Sequence, residues 1–332
     1  MDGLPEMFQA DLPAVSRTPL QRTIKAAIGC IGTGLHTGRR VSLTLRPAPA
    51  GSGIVFRRSD LGQEIVARHD WVTDARLCTA LADPARPDAR IGTVEHLMAA
   101  LAGAGIDNLL AEIDGPELPI LDGSAAPFLF LIECAGLQVQ AAPRPVIEIL
   151  RPVRVESEAG FVELRPHAPG GSGLDLAVSI EFDAPAIGRQ ALSLSLTPAV
   201  FRHQLASART FTLATEVEQL RAAGLGRGGS LENAVVVDGA RVLNPAGLRM
   251  VDEFVRHKML DVVGDLALAG APISGRFLAH RPGHALTNAL LRALFAQPAA
   301  WSRTVAGTTS LPRVALPGRP LTIPVPAAAA PL

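Results

Sequence analysis

The sequence predicts an α+β fold made of two similar domains related by internal duplication. Its 332 residues are enough for about two domains. In each half, strand-like segments are followed by a helix, a strand and a second helix. The first helix of each half also begins with the pattern V-x-H-x-M, at residues 94–98 and 255–259. We therefore expect the two histidine-bearing helices to face each other between the domains.

The first half opens with segments that are typical of strands, such as "RRVSLTLRPA" (39–48) and "GIVFRR" (53–58). A helix is predicted in "TVEHLMAALAGAG" (93–105). A strand in "NLLAEIDG" (108–115) and a helix in "APFLFLIECAG" (126–136) complete the unit. The first half is therefore predicted to run from strands to a helix, a strand and a second helix.

The second half repeats that order over a longer stretch. Its strands are predicted in "PVIEILRPVRVE" (145–156), "FVELRPH" (161–167), "LDLAVSIEF" (174–182) and "ISGRFLAHR" (273–281). Its helices are predicted at 252–269 and in "ALTNALLRALFAQ" (285–297). One segment departs from the repeat, because residues 208–239 read as strand, helix and strand, which predicts a βαβ insertion.

These patterns divide the chain into four parts. Residues 1–19 are predicted to be an N-terminal extension, and the first domain is predicted at 20–143. The second domain is predicted at 144–316, because two prolines in "QAAPRP" punctuate the chain at this point. The Pro/Ala-rich tail at 317–332 ends in "PVPAAAAPL", which is expected to be disordered.

Composition excludes several classes of protein. Lys and Arg together number 31, as do Asp and Glu, so nothing favours a nucleic-acid or anionic-membrane partner. The 3 cysteines are widely spaced and form no CxxC pair, which excludes a cysteine zinc knuckle and fits a reducing compartment. The first 20 residues lack the apolar segment of a signal peptide, and no apolar run is long enough to cross a bilayer. We expect a monomeric cytoplasmic protein without a transmembrane segment.

The segment "FVRHKMLDVVGDL" (254–266) is an apolar helix that nevertheless carries several charged residues. At about 100° per residue, Asp261 lies about 40° around the helix from His257, and Asp265 lies about 80° from it. Lys258 lies beside them. A His and an Asp four residues apart can bind one metal ion from the same helix face. A local ion pair is the alternative reading of the two residues alone.

A catalytic zinc site needs three protein ligands, so a third must come from another part of the chain. His96 is one candidate, and Glu95 beside it would be a suitable general base for water activated by a metal. His36, in the glycine-rich segment "GTGLHTG", is a rival for the same role. The residues alone leave both histidines open.

A histidine that could act as an acid is predicted at the start of the last helix. His284 follows Pro282 and Gly283, where a histidine can act as an acid. Asp265 is too far around its helix to be a comfortable ligand together with Asp261. It is well placed to keep His284 protonated, because a carboxylate partner raises the pKa of an imidazole.

Together these segments resemble the zinc-dependent UDP-3-O-acyl-N-acetylglucosamine deacetylases of lipid A biosynthesis in Gram-negative bacteria. The similarity covers about residues 20–315. It is carried by "GTGLHTGRRVSLTLRPAPAGSGIVFRR", "TVEHLMAALAGAGIDNLLAEIDGPELPILDGSAAPF", "SARTF", "EFVRHKMLDVVGDL" and "GHAL". The resemblance implies two α/β-sandwich domains with the active site between them. It also implies that the βαβ insertion forms a hydrophobic passage for the acyl chain of the substrate.

The resemblance assigns a role to each residue of the catalytic set. The implied zinc ligands are His96, His257 and Asp261, which favours His96 over His36. Glu95 would be the general base, His284 the general acid, and Asp265 the residue that orients His284. Thr210 would donate a hydrogen bond to the developing oxyanion.

Six further residues are implied in substrate binding. Phe211 would line the site and Lys258 would contact the substrate, with Phe182 near the uridine and Arg281 near the diphosphate. The acyl passage would be lined by Leu213 and Val217. Two positions depart from the family pattern: the usual His after Phe182 is absent, and Arg281 stands where a Lys is common.

The implied reaction is hydrolysis of the N-acetyl group of UDP-3-O-acyl-N-acetylglucosamine, the committed step of lipid A biosynthesis. It would use one Zn²⁺ per chain, with Fe²⁺ as an alternative metal in the cell. A different zinc amidohydrolase, acting on an N-acetylated sugar without an acyl chain, is the main alternative, but it would have no use for an apolar passage. A non-enzymatic protein with a structural zinc is a second alternative. Such a zinc site would be closed by four protein ligands, and it would not need Glu95 or His284.

Overall fold

The computed structural model of the chain describes residues 19–306 and the backbone of one strand at 321–324. The predicted extension, apart from its last residue, and most of the predicted tail lie outside the described residues. The strand at 321–324 falls within the segment that was expected to be a tail. In the described part of the chain, no helix is long and apolar enough to cross a membrane.

The elements of the first half agree with the predicted order and add strands that the sequence analysis did not identify. Its strands are β1 (Leu20–Ile24), β2 (Ile28–Thr33), β3 (Arg40–Pro47), β4 (Ile54–Arg58), β5 (Gln63–Val66), β6 (Val72–Asp74), β7 (Ala80–Asp83), β8 (Arg86–Ile91), β9 (Leu109–Ile113) and β10 (Leu137–Pro143). Its helices are α1 (Glu95–Ala104) and α2 (Ala126–Ala135). Strand β3 buries every second side chain, which is why its apolar residues alternate with polar ones.

The second half has a similar composition of elements. Its strands are β11 (Pro145–Ile149), β12 (Val153–Glu156), β13 (Phe161–Arg165), β14 (Leu174–Glu181), β15 (Arg189–Leu196), β16 (Phe211–Leu213), β17 (Val235–Asp238), β18 (Arg241–Val242), β19 (Ile273–His280), β20 (Trp301–Val305) and β21 (Leu321–Pro324). Its helices are α3 (Pro198–Val200), α4 (Ala214–Ala222), α5 (Glu253–Leu266) and α6 (His284–Phe295).

One strand prediction was wrong in the second half. Residues 145–156 form two strands, β11 and β12, rather than one. Strand β11 pairs with β19 and β20, whereas β12 pairs with β13 and β21. Pro152, between them, has no N–H to donate to a ladder, which suits the break between the two sets of partners.

The two halves share one sheet topology, which confirms the predicted fold class. In the first half the sheet order is β2-β3-β9-β4-β5, and in the second the corresponding order is β12-β13-β19-β14-β15. In both sheets the strand that follows the histidine-bearing helix enters the middle. Strand β9 is antiparallel to β3 and parallel to β4, just as β19 is antiparallel to β13 and parallel to β14.

Along the chain, each half also carries a small three-stranded sheet between its fourth main-sheet strand, β5 or β15, and its histidine-bearing helix. In the second half this sheet is β16-β17-β18, which contains the predicted βαβ unit of β16, α4 and β17. In the first half it is β6-β7-β8, which the sequence analysis did not identify. The insertion is therefore a repeated feature, although its content differs between the halves.

Helices α1 and α5 pack against each other where the halves meet, and α5 also packs on β14 and β15. A helix covered on both sides has little surface in contact with solvent, and 12 of the 14 residues of α5 are buried. The close approach depends on Gly264, because a Cβ atom there would lie 2.1 Å from the backbone oxygen of Glu95. Glycine thus lets the two histidine-bearing helices touch at the level of their polar residues.

Candidate active site

The packing of α1 on α5 brings together three potential metal ligands from the two halves. His257 and Asp261 lie on one face of α5, with Nε2 of His257 3.3 Å from Oδ1 of Asp261. His96 extends from α1, and its Nε2 lies 3.7 Å from the same oxygen. One potential ligand atom from each of the three residues lies within 4.8 Å of the others, and all three residues are buried.

Both histidines are held in the neutral form that binds metals. Nδ1 of His257 donates a hydrogen bond to the carbonyl oxygen of Ala208 at 3.0 Å, which leaves the lone pair on Nε2. Burial lowers the pKa of His257, despite the opposing effect of Asp261. Burial also lowers the pKa of His96, to about 3. Neither imidazole needs to lose a proton at neutral pH before it coordinates an ion.

Asp261 supplies the negative charge of the cluster, and its surroundings are those of a potential cation ligand. Its Oδ1 is buried and has no hydrogen-bond partner in the described part of the chain, although it faces both imidazoles. Lys258 donates a hydrogen bond to its other oxygen, Oδ2, at 3.1 Å. Burial opposes ionisation, but the neighbouring imidazole of His257 and the ammonium group of Lys258 keep the pKa of Asp261 below its usual range. An unpaired buried carboxylate oxygen is costly, and a bound cation would satisfy it.

Glu95 lies next to His96 at the start of α1 but directs its carboxylate to a different partner. Its Oε2 accepts a hydrogen bond from the backbone N–H of Thr79 at 3.0 Å. Its Oε1 lies 4.0 Å from Nε2 of His284. Burial raises the pKa of Glu95 to about 7, despite the opposing charge of His284. A carboxyl group with this pKa can both accept and release a proton near neutral pH.

His284, the first residue of α6, is the cationic counterpart of this carboxyl group. Its Nδ1 donates a hydrogen bond to Oδ2 of Asp265 at 2.8 Å. Burial by itself would lower the pKa of His284, but the charge and hydrogen bond of Asp265, with the charge of Glu95, raise it to about 10. The imidazolium form is therefore the stable one at neutral pH, and its Nε2 carries a proton on the side of Glu95.

A single pocket exposes these groups to one another. It is lined by residues of both halves, including Glu95, His96, His257, Asp261 and His284. His36, the rival third ligand, lines the same pocket but is not part of the cluster of potential ligand atoms. The structure therefore groups His96, rather than His36, with the pair on α5.

Thr210, Phe211 and Lys258 also line the pocket. Both backbone groups of Thr210 are hydrogen-bonded. Its N–H donates to the carbonyl of Gly123 at 2.8 Å, and its carbonyl accepts from the N–H of Val235 at 2.8 Å. The ring of Phe211 lies edge-on to that of Phe182, with 5.5 Å between the centroids. The Nζ atom of Lys258 lies 5.5 Å from the centroid of Phe211.

The remaining predicted residues lie away from this pocket. Phe182 reaches it only through its contact with Phe211. Leu213 ends β16 and Val217 lies on α4, and both side chains are half-buried. Arg281 is exposed just after β19 and has a positive φ of 50°. The structure brings the predicted catalytic residues together and places these four outside their pocket.

Sequence reasoning did not place Thr93 and Cys78 in the pocket, and it missed Thr79, which contacts two carboxylates of the site. Thr93 has a φ of 56°, which is unusual for a β-branched residue, and its hydroxyl donates to the buried carboxylate of Glu117 at 3.0 Å. Thr79 contacts two members of the catalytic set. Cys78 also lines the pocket, where burial raises its pKa to about 12, so that it is not a thiolate nucleophile. No local signal marks these positions, because their neighbours come from distant parts of the chain.

Comparison with known proteins identifies the family. Residues 21–296 match the family model described as UDP-3-O-acyl N-acetylglycosamine deacetylase. A UDP-3-O-acyl-N-acetylglucosamine deacetylase of Acidithiobacillus ferrooxidans is 49% identical over 85% of this chain and 91% of its own length. Enzymes with the same name from Idiomarina loihiensis and Chromobacterium violaceum are 48% and 47% identical over 85% of this chain and 91% and 92% of their own lengths. The chain belongs to the UDP-3-O-acyl N-acetylglycosamine deacetylase family.

Proposed function

We propose that this chain hydrolyses the N-acetyl amide of UDP-3-O-acyl-N-acetylglucosamine, releasing acetate and UDP-3-O-acyl-glucosamine for lipid A biosynthesis. The observation that carries the proposal is one pocket in which a three-residue metal cluster adjoins a carboxyl group and an imidazolium. Their pKa values of about 7 and about 10 suit a base and an acid acting in the same reaction. The names of the relatives supply the substrate.

We propose Zn²⁺ as the metal, held by His96, His257 and Asp261, with Fe²⁺ as the alternative in the cell. Two imidazoles and one carboxylate are the donor set of known catalytic zinc sites, which keep a fourth position for water or substrate. When bound, zinc lowers the pKa of water and polarises a carbonyl oxygen. The buried Oδ1 of Asp261, which accepts no hydrogen bond from the described residues, supports this placement.

The protein residues would then divide the proton transfers. Glu95 would accept a proton from the attacking water through Oε1, because Oε2 already accepts a hydrogen bond from Thr79. Thr210, whose backbone N–H and C=O are both hydrogen-bonded, would donate a hydrogen bond from its hydroxyl to the oxyanion that develops on the carbonyl oxygen. His284 would donate a proton from Nε2 to the departing nitrogen, and Asp265 would stabilise the imidazolium until then.

The outer residues are proposed to bind the rest of the substrate. Lys258 would place its positive charge beside the reacting sugar, against Phe211. Phe182 would extend this aromatic surface toward the uridine, and Arg281, which is exposed, would face the diphosphate. Half-buried apolar side chains on the βαβ insertion support its role as the acyl passage, which would be lined by Leu213 and Val217.

The direct test measures acetate and free amine released from UDP-3-O-acyl-N-acetylglucosamine by the purified protein. We expect activity that a chelator abolishes and that added Zn²⁺ restores. UDP-N-acetylglucosamine, which lacks the acyl chain, is the matched control and should be a poor substrate. The proposal would be refuted if the metal-loaded protein released no acetate. Equal activity on both substrates would indicate an amidohydrolase that does not recognise the acyl chain.

We also propose that the protein works as a monomer in the cytoplasm. The absence of a membrane-spanning helix from the described residues is compatible with this, as is the small number of unpaired cysteines. Sedimentation of the purified protein tests the oligomeric state, and cell fractionation tests the compartment.

Asp265→Asn is expected to move the basic limb of the kcat/KM profile to lower pH. In the wild type, activity should rise as Glu95 loses its proton and fall as His284 loses its own. Removal of the Asp265 charge takes away the main group that raises the pKa of His284, by about 1–3 units for a close carboxylate. His284 would then lose its proton at lower pH, while the zinc content stays unchanged.

The measurement that tests this prediction is the difference in the pH of the basic limb between the wild type and Asp265→Asn. A bound divalent cation lowers the pKa of both groups, so each limb should lie below the value for the metal-free protein. The limbs also belong to a coupled site rather than to single residues. An unmoved basic limb with reduced activity would show that Asp265 orients something other than a protonated His284.

A further inference from the structure

Thr79 lies between β6 and β7, in the small sheet of the first half, and is 1% exposed. Its backbone N–H donates to Oε2 of Glu95 at 3.0 Å. Its hydroxyl donates to Oδ1 of Asp265 at 2.6 Å, although Asp265 belongs to the second half. One residue therefore contacts the carboxylate of the proposed base and the carboxylate that orients the proposed acid.

These contacts close a ring of four residues. From Thr79 the ring passes through Asp265, whose other oxygen accepts from Nδ1 of His284 at 2.8 Å. It returns across a gap of 4.0 Å between Nε2 of His284 and Oε1 of Glu95. The two atoms at this gap are the ones proposed to transfer protons. Thr79 occupies the opposite side of the ring, where it touches neither of them.

We propose that Thr79 is a positioning residue, which sets the separation of the proton-accepting oxygen of Glu95 and the proton-donating nitrogen of His284. The inference rests on the proposed deacetylation. A proton must leave water on one side of the amide and reach nitrogen on the other, so the spacing of the two groups is part of the reaction geometry. Thr79 sets it by fixing one oxygen of each carboxylate.

The hydroxyl is the part of Thr79 that a substitution can test. A bond from a hydroxyl to a carboxylate is charge-assisted and stronger than a neutral one. Without it, Oδ1 of Asp265 would be a buried acceptor without that donor, and the carboxylate would be free to rotate about its remaining bond to His284. The backbone bond to Glu95 would persist, so the effect should reach the acid side of the ring first.

The experiment compares Thr79→Val, which keeps the shape and removes the hydroxyl, with Thr79→Ser, which keeps the hydroxyl and removes the methyl group. Removal of a group that orients a functional residue through a hydrogen bond typically lowers activity by about 10–100-fold. We expect kcat of Thr79→Val to fall by about that factor with little change in KM. Thr79→Ser should stay close to the wild type, and both variants should retain their zinc and fold. Thr79→Ala, which is smaller, replaces Thr79→Val if the latter fails to fold.

A measurement without substrate separates this inference from the proposed function. The Nδ1 proton of His284, bonded to Asp265, should give a downfield NMR resonance that shifts in Thr79→Val and not in Thr79→Ser. Wild-type protein that does not deacetylate the UDP-sugar would refute the function, while the resonance would still report the ring. The positioning role is refuted if Thr79→Val keeps its kcat or its resonance, or if Thr79→Ser loses as much as Thr79→Val.

Discussion

Asp261→Ala and His257→Ala are each expected to lose most of their bound zinc and nearly all activity while remaining folded. Both residues present potential ligand atoms on one face of α5, and Oδ1 of Asp261 lies within 3.7 Å of Nε2 of both His257 and His96. Loss of a partner that only supports a ligand already costs about 10–100-fold in metal affinity, so loss of a ligand should cost at least about 100-fold. Metal analysis after gel filtration, with a thermal melt of each variant, gives the answer.

The matched pair for this experiment is His96→Ala and His36→Ala. Both histidines line the pocket, but only His96 belongs to the cluster of potential ligand atoms. We expect His96→Ala to lose zinc and His36→Ala to keep it. Full zinc retention in Asp261→Ala and His257→Ala would remove the basis for a metal site on α5. Zinc loss in His36→Ala alone would reverse the choice of third ligand.

Glu95→Gln should keep its zinc and lose about 10²–10⁴-fold in kcat, the usual range for a group that transfers a proton. Glutamine has the same shape and can still accept the hydrogen bond from Thr79, so the start of α1 should not change. What it lacks is a carboxylate that accepts a proton near pH 7, which burial provides in the wild type. Single-turnover rates at saturating substrate separate this effect from one on binding.

Glu95→Ala completes the comparison, because it removes both the proton acceptor and the contact with Thr79. The two variants should be similarly slow if proton transfer is the main role of Glu95. A normal kcat in both variants would mean that the residue only supports the N-terminus of its helix. Slow turnover in Glu95→Ala alone would assign it a purely structural role in the ring.

The sequence could reveal those parts of the site that lie on one helix. The four-residue spacing of His257 and Asp261 is a local pattern, and α5 displays it on one face. The duplicated order of elements was equally visible, and the shared sheet topology follows it. The choice between His96 and His36 was different in kind, because it depends on how closely α1 approaches α5 at Gly264. The family resemblance, rather than spacing, favoured His96.

Other features could not be read from local patterns. Thr79 and Asp265 are 186 residues apart in the chain, and "LCTALAD" around Thr79 contains nothing to mark a contact with the carboxylate of Asp265. The positive φ of Thr93 belongs to a residue type that rarely adopts it. Such contacts arise from the tertiary fold, where the small sheet of the first half meets the helices of the second.

The division of the ligands between α1 and α5 gives the proposed zinc a second consequence. An ion held by His96 on one half and by His257 and Asp261 on the other is a cross-link that exists only while the halves are docked. Its binding free energy therefore adds to the stability of the native protein in proportion to the logarithm of the free zinc concentration. Zinc starvation would then lower the activity of the protein and also shorten its lifetime, because the metal-free chain unfolds more often and is then cleaved by proteases.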